Sequence, residues 1–343
     1  MDETTCEKCR NTKVNDRSTN SLKVAIIGAT GNTGKTMALC LKQSPLIDEL
    51  AIYDSRPFGG LLMELRQMDT KCRTMLGVET ASVPRNKKME LERALKGAKI
   101  VMLVTEPSKQ LCEQAREVES VVAGLLHCCP KAFVGLVSPW VSSLLPMLFE
   151  LYKKDGLFQC DRLFGVLNLF STRANSLAAE TLGVNPEFVV VPILGGGCPE
   201  TCVPLFSCAR PCAEFTPEEL ARLRHAMKST PYDESSSLCA GYAAARFCIS
   251  LCKALRDERG VLECAYVRSC LVPELKYVGA PLELGPSGVQ RHLGVPRLSN
   301  SECDAMFQAI PRIKHHIALG ESLALGCGTS TETCPLPARC DLG

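Results

Sequence analysis

The sequence predicts an α/β fold in which a doubly wound parallel sheet occupies the N-terminal half and an α+β domain follows it. Three observations carry the prediction. A short apolar run at residues 24–27 leads into glycines at Gly28, Gly31 and Gly34, in G-x-x-G-x-x-G spacing. A second apolar run at residues 50–53 closes on the carboxylate of Asp54. Strand-like apolar runs then alternate with helix-length amphipathic segments as far as Val166, after which the pattern changes.

Each element follows from the same reading. Gly28, Gly31 and Gly34 let the backbone bend sharply, admit a pyrophosphate to the main chain and let the next helix pack on the strand. That helix offers free N–H groups and a positive dipole end to phosphates. Asp54 is placed to bind both ribose hydroxyls and to repel a 2′-phosphate, which favours NAD over NADP. Residues 64–70 read as a helix with an inward apolar face. Residues 71–95, polar and basic at 85–88, read as a solvated insertion. Residues 100–104 form a third strand, 110–128 an amphipathic helix, 132–137 a fourth strand, 142–153 a helix, and 162–166 the close of the half. This is the pattern of a Rossmann NAD-binding domain over residues 22–166.

The second half reads as a substrate domain over residues 167–325. It begins with a helix at 173–182, a strand at 187–194 and a glycine turn at 195–197. Long helices at 217–229 and 237–255 precede a meander through 261–268 and 281–284. A last helix at 301–324 is expected to kink or break at Pro311.

Composition bounds the partners. The chain has 343 residues, room for two domains, and 39 basic against 37 acidic residues, so nothing points to nucleic acid or an anionic membrane. No apolar run approaches the roughly 18 residues of a membrane span. The 21 cysteines are unusual, and without a secretory signal they read as reduced thiols. Residues 1–21 read as a polar disordered tail whose basic residues are diluted by Asp2, Glu3, Glu7 and Asp16, unlike a clean mitochondrial presequence. Cys6 and Cys9 make a CxxC that lacks two further zinc ligands, so no metal site is assigned. Residues 326–343 read as a second tail, with Cys327, Cys334 and Cys340.

The pieces KVAIIGATGNTG, SPLIDELAIYD, ELRQMDT, RLFGV with TRAN, VPILGG, GYAAARF, GVLECAYVRS and LGVPRLSNSE together resemble the malate dehydrogenase family, in its mitochondrial-type branch. The resemblance covers about residues 22–325. It implies a lactate/malate dehydrogenase C-terminal domain, a dimer or tetramer, NAD as cofactor, and interconversion of malate and oxaloacetate. ELRQMDT falls where the family has its dimer helix. The family branch implies a mitochondrial location, and the N-terminus leaves the cytoplasm as the alternative.

The catalytic positions depart from that implication. Hydride transfer to or from a 2-hydroxy acid needs a histidine base tuned by an aspartate, arginines on the carboxylates, and a closing loop. The family's histidine position is Gly197 and its aspartate position is Phe170, so both halves of the relay are absent. Arg173 stands at the substrate-carboxylate arginine. The loop that carries two more arginines is shortened here, with Lys109 and Leu111 near those places and Glu106 at the loop glycine; Arg116 is a candidate substitute. On the cofactor side, Gly28, Gly31, Gly34 and Asp54 are in place. The family's NPxN turn reads Ser138-Pro139-Trp140-Val141, with Ser138 keeping a hydroxyl and Trp140 either stacking on the cofactor or filling its pocket. Ser235, Ser236 and Ser237 preserve a hydroxyl-rich stretch beside the nicotinamide.

None of His127, His225, His292, His315 and His316 reads as a replacement base. Cys198, beside the lost histidine, reads either as a small filler or as a thiolate able to do chemistry. Cys248 and Cys252 read as core packing, and the other cysteines leave a redox or cross-linking role open. The expectation is a fold-retaining pseudoenzyme that binds NAD through Gly28, Gly31, Gly34, Asp54 and Ser138. Its partner is a second copy or an active relative. The alternative is a working malate dehydrogenase with displaced groups, and a third reading is a dehydrogenase of altered substrate.

Overall fold

Strand β1 (Lys23–Ile27) is buried along its whole length and lies inside a parallel sheet, flanked by β2 (Glu49–Tyr53) and β4 (Ile100–Val104). The computed structural model describes residues 21–74, 86–156, 160–212, 214–229 and 232–326. The expected terminal tails, with Cys6, Cys9, Cys327, Cys334 and Cys340, lie outside the described residues apart from residues 21 and 326 at their edges. β3 (Arg73–Thr74), β5 (Phe133–Val137) and β6 (Leu163–Val166) complete the parallel order β3-β2-β1-β4-β5-β6. The order reverses between β1 and β4, and a crevice opens there beyond the carboxyl ends of the strands. β1, β4 and β5 are buried on both faces, which is why they read as unbroken apolar runs and not as alternation.

The strands alternate with α1 (Asn32–Lys42), α2 (Gly59–Gln67), α3 (Lys87–Leu95), α4 (Leu111–Cys128) and α5 (Val141–Lys154). The second half contributes α6 (Asn168–Leu182), β7 (Ile193–Gly195), β8 (Cys202–Pro204), α7 (Pro217–Ser229) and α8 (Ser237–Leu255). β9 (Val261–Arg268), β10 (Tyr277–Gly285), β11 (Gly288–His292) and α9 (Asn300–Ala324) follow. β9 pairs antiparallel with β6 and β10 with β9, so the two halves share one continuous sheet. α8 lies against α1 at Gly241, where a Cβ would come within 2.6 Å of the Thr33 carbonyl oxygen. That close approach brings the start of the second-half helix to the cofactor turn.

Several expectations change. Within 71–95, residues 75–85 lie outside the described residues, but 87–95 is helix α3, not a solvated insertion. Asn86 accepts a hydrogen bond from the Met89 N–H, and Leu91, Ala94 and Leu95 are buried. The strand expected at 187–194 contracts to Ile193–Gly195. Pro186 opens a 3-10 turn, Pro192 has no N–H to donate, and Val190 makes only an isolated bridge to Arg210. α9 runs through Pro311 without ending, because Pro311 is exposed and water can reach the carbonyl its missing N–H leaves unpaired. Against the expectation that no apolar run approaches membrane-span length, α8, at 19 residues, is long and apolar enough to cross a membrane by length and composition. It carries Arg246 and Lys253 and buries Ala244, Phe247, Cys248 and Leu251 in the core, as a core helix does.

Candidate dinucleotide-binding site

The turn after β1 has the geometry its glycines require. Gly28 adopts φ +85°, and a Cβ there would lie 2.0 Å from the Val104 carbonyl oxygen of the neighbouring strand. A Cβ on Gly34 would meet the Gly28 carbonyl at 2.4 Å, so that glycine seats the helix on the strand. Gly31 differs: its nearest neighbour to a built Cβ is Arg56 Nη2 at 3.7 Å, so the missing side chain leaves room for a ligand at the N-cap of α1. No side chain caps that helix, and the Thr33 hydroxyl, buried beside it, has no hydrogen-bond partner. These features fit a dinucleotide pyrophosphate. A cleft of about 840 Å³, counting space open to solvent, runs from this turn past Asp54 and Glu106 to Ser237 at the start of α8.

Asp54 ends β2 as expected, buried at 4% exposure, but protein donors surround it. Oδ2 accepts from the Thr30 N–H at 3.0 Å and the Thr30 hydroxyl at 2.7 Å, and Oδ1 accepts from the Arg56 N–H at 2.9 Å. Burial works against its charge, but these hydrogen bonds and the Arg56 guanidinium hold its pKa below the ordinary carboxylate value. Arg56 Nη1 reaches Glu106 at 3.2 Å across the cleft, and Lys109 pairs with Glu106 at 3.5 Å and with Glu117.

The loop that carries Glu106 and Lys109 is held from below. Gln114 is completely buried; its amide nitrogen, Nε2, donates to the carbonyls of Glu106 at 3.0 Å and Lys109 at 2.9 Å. Its Oε1 accepts from the hydroxyls of Thr105 at 2.5 Å and Ser138 at 2.8 Å. All its amide capacity is used, so loop, helix and β5 turn are locked together. Ser138 is therefore buried and committed to Gln114 and the Trp140 N–H. It does not line the cleft, and neither does Trp140, which is half-buried and packed against the core. Leu111 is in the core and Arg116 is exposed outside the cleft lining, so neither stands in for a clamp arginine.

The relay positions are closed. A Cβ on Gly197 would lie 2.0 Å from Val141 Cγ1 and 3.3 Å from Leu167 Cδ2. The Gly197 N–H donates to Ser142 Oγ at 2.8 Å, which fixes the backbone against α5. The other Val141 methyl lies 2.6 Å from where a Gly165 Cβ would be, so Val141 is seated between two glycines. Phe170 is buried in the core, edge-on to Tyr232 with ring centroids 6.1 Å apart. Arg173 is at 9% exposure, and burial lowers its pKa from the ordinary guanidinium value, against the favourable charge of Asp233. Cys198 is half-buried, its thiol 2.9 Å from the Thr201 hydroxyl, and burial pushes its pKa up to about 11. That shift favours the thiol over the thiolate that a reactive cysteine needs. The described cysteines are free, and desolvation pushes the buried Cys129 and the half-buried Cys264 up to about 12. None of the five histidines lines the cleft.

Family models match both halves of the chain. Residues 22–165 match the lactate/malate dehydrogenase NAD-binding domain and residues 168–324 the α/β C-terminal domain of the same family. The chain belongs to the lactate/malate dehydrogenase family. It is 32% identical over 320 residues to mitochondrial malate dehydrogenase of Rattus norvegicus and to that of Homo sapiens, spanning 88% of this chain and 91% of each relative. The fold is also that of the Cryptosporidium parvum malate dehydrogenase crystal structure, with a TM-score of 0.66 at 19% identity over 88% of this chain and 99% of that one.

Within that family fold, Arg56, Gln114 and Val141 shape the site in ways that sequence reasoning did not anticipate. Arg56 lies two residues past the expected Asp54 and was available to be read. Gln114 looked like one polar residue on an amphipathic helix, and only its 0% exposure marks it.

Proposed function

We propose that this protein is a catalytically silent lactate/malate dehydrogenase family member that binds a nicotinamide dinucleotide and acts through association. The observation that carries the reading is Gly197 sealed by Val141: a base is missing and the space for one is filled. Phe170 packed on Tyr232 supports it, since no carboxylate is left to orient a base. When bound, the dinucleotide would supply a hydride carrier, and its phosphates would lie on Gly31 and the free N–H groups opening α1. The chain's own residues position and enclose that end without moving a substrate proton.

The test is oxaloacetate-dependent NADH oxidation by the purified protein beside a mitochondrial malate dehydrogenase. Loss of a general acid–base group alone lowers rate about 10²–10⁴-fold, and the expected rate lies beyond the lower of those losses. Turnover within about a hundredfold of the control would overturn the reading. An altered substrate would register as turnover of another 2-oxo acid under the same assay.

Association is the second part of the proposal. Met63 on α2, Leu39 on α1, and Leu238 and Tyr242 one turn apart on α8 are exposed apolar side chains, and α1 packs against both of the other helices. A second copy, or an active relative with the same face, would cover them. Sedimentation of the 37.2 kDa chain is expected to show a dimer that Met63→Glu with Leu238→Glu dissociates. A monomer at all concentrations would refute self-association and leave the active relative to be tried by mixing. The mitochondrial relatives make that organelle the first place to look for either partner.

A further inference from the structure

We propose that the adenosine end of this cleft accepts a 2′-phosphate, with Arg56 as its ligand, so that the protein binds NADP(H) as well as NAD(H). The inference rests on the reading that the cleft binds a dinucleotide, and it reverses the expectation that Asp54 selects NAD.

The acid that should read the ribose hydroxyls is saturated. Oδ2 of Asp54 takes two hydrogen bonds from Thr30, and Oδ1 takes two from Arg56, through the backbone N–H at 2.9 Å and Nε at 3.4 Å. An ionised carboxylate has about four acceptor sites, so a ribose diol would have to displace a protein donor. The ion pair with Arg56 also offsets the negative charge that would repel a 2′-phosphate.

Arg56 itself stands where such a phosphate would come. It lines the cleft, its side chain is 46% exposed, and Nη2 lies 3.7 Å from the Cβ position of Gly31. The guanidinium thus spans the interval between the pyrophosphate turn and the end of β2. Its planar fork suits a phosphate, and it now holds both oxygens of Glu106 at 3.2 Å. A ligand phosphate can replace that carboxylate cheaply, because the pair is partly exposed and Lys109 remains 3.5 Å from Glu106 to keep its charge paired.

The experiment titrates the full-length protein with NADH and NADPH, and with ADP and 2′,5′-ADP, which carry only the adenosine end. NADPH is expected to bind within about tenfold of NADH, and 2′,5′-ADP at least as well as ADP. Arg56→Gln is expected to weaken NADPH and 2′,5′-ADP about ten- to a hundredfold, the range of a charge-assisted hydrogen bond, with a far smaller change for NADH and ADP. Arg56→Lys should recover part of the loss, and Glu106→Gln should tighten the 2′-phosphorylated ligands by removing the competitor. Circular dichroism confirms that each variant is folded. NADH binding with NADPH about a hundredfold weaker, or equal losses for both in Arg56→Gln, overturns this inference and leaves the dinucleotide reading standing. Binding of none of the four ligands overturns both.

Discussion

Gly197→His is expected to unfold or severely destabilise the protein and to restore no turnover. The reason lies in Val141, whose Cγ1 stands 2.0 Å from any Cβ placed on residue 197. Relief by a backbone shift is blocked on the other side, where the Gly197 N–H is tied to Ser142 Oγ. Even Gly197→Ala should cost about 1–3 kcal/mol as an overpacked core substitution. A histidine adds a buried polar ring without a partner, at about 1–3 kcal/mol more. Those losses are large beside the roughly 5–15 kcal/mol that holds a domain folded. Thermal melts of Gly197→Ala, Val141→Ala and the double variant test the cause. The double variant should recover most of the melting temperature lost by Gly197→Ala, because the two residues are in contact and their effects couple. An unchanged melting temperature in Gly197→Ala would show that the space is open and the catalytic reading must be revisited. Adding Phe170→Asp to rebuild the relay introduces a buried charge among aromatic neighbours, so the pair of reversions compounds the damage.

The second large effect is expected at Gln114. Gln114→Leu keeps the bulk but strips partners from the Thr105 and Ser138 hydroxyls and from the carbonyls of Glu106 and Lys109. Each of the four hydrogen bonds lost costs about 0.5–1.5 kcal/mol, and the Ser138 hydroxyl, the Thr105 hydroxyl and the Glu106 carbonyl keep the Trp140 N–H, the Val137 carbonyl and the Lys109 N–H as remaining partners. A drop of about 3–5 kcal/mol in unfolding free energy is the expected result. Its local signature is release of the loop at residues 105–110, read as faster amide hydrogen exchange there than in β4 or β5. A stable variant with unaltered exchange in the loop would mean that the Arg56–Glu106–Lys109 pairs hold the loop without help from below. The outcome bears on binding, since the same loop forms one wall of the cofactor cleft.

Much of this was legible in the chain itself. β1, β4 and the helices Pro217–Ser229 and Ser237–Leu255 follow from uniform apolar runs and a period near 3.6, both of which are local properties. Helix α3 was missed because its polar, lysine-rich start masks a three-residue apolar stripe, and the asparagine cap is a weak local mark. Of the kink or break expected at Pro311, the break does not occur for a different reason: proline's cost depends on whether water can reach the freed carbonyl, and exposure is a property of the fold.

The site divides in the same way. The sequence alone determined that the glycine turn and Asp54 are present and that Gly197 and Phe170 carry no proton-relay groups, because side-chain chemistry is written at each position. Only the tertiary structure decided whether the vacated space is open. Val141 and Gly197 lie 56 positions apart in the chain, and their contact depends on how α5 packs on the turn after β7. Asp54 likewise reads as a ribose ligand in the chain and proves to be held by Thr30 and Arg56 in the fold. Residue type sets what a group can do; packing and hydrogen-bond saturation, which no local pattern encodes, set whether it remains available to a ligand.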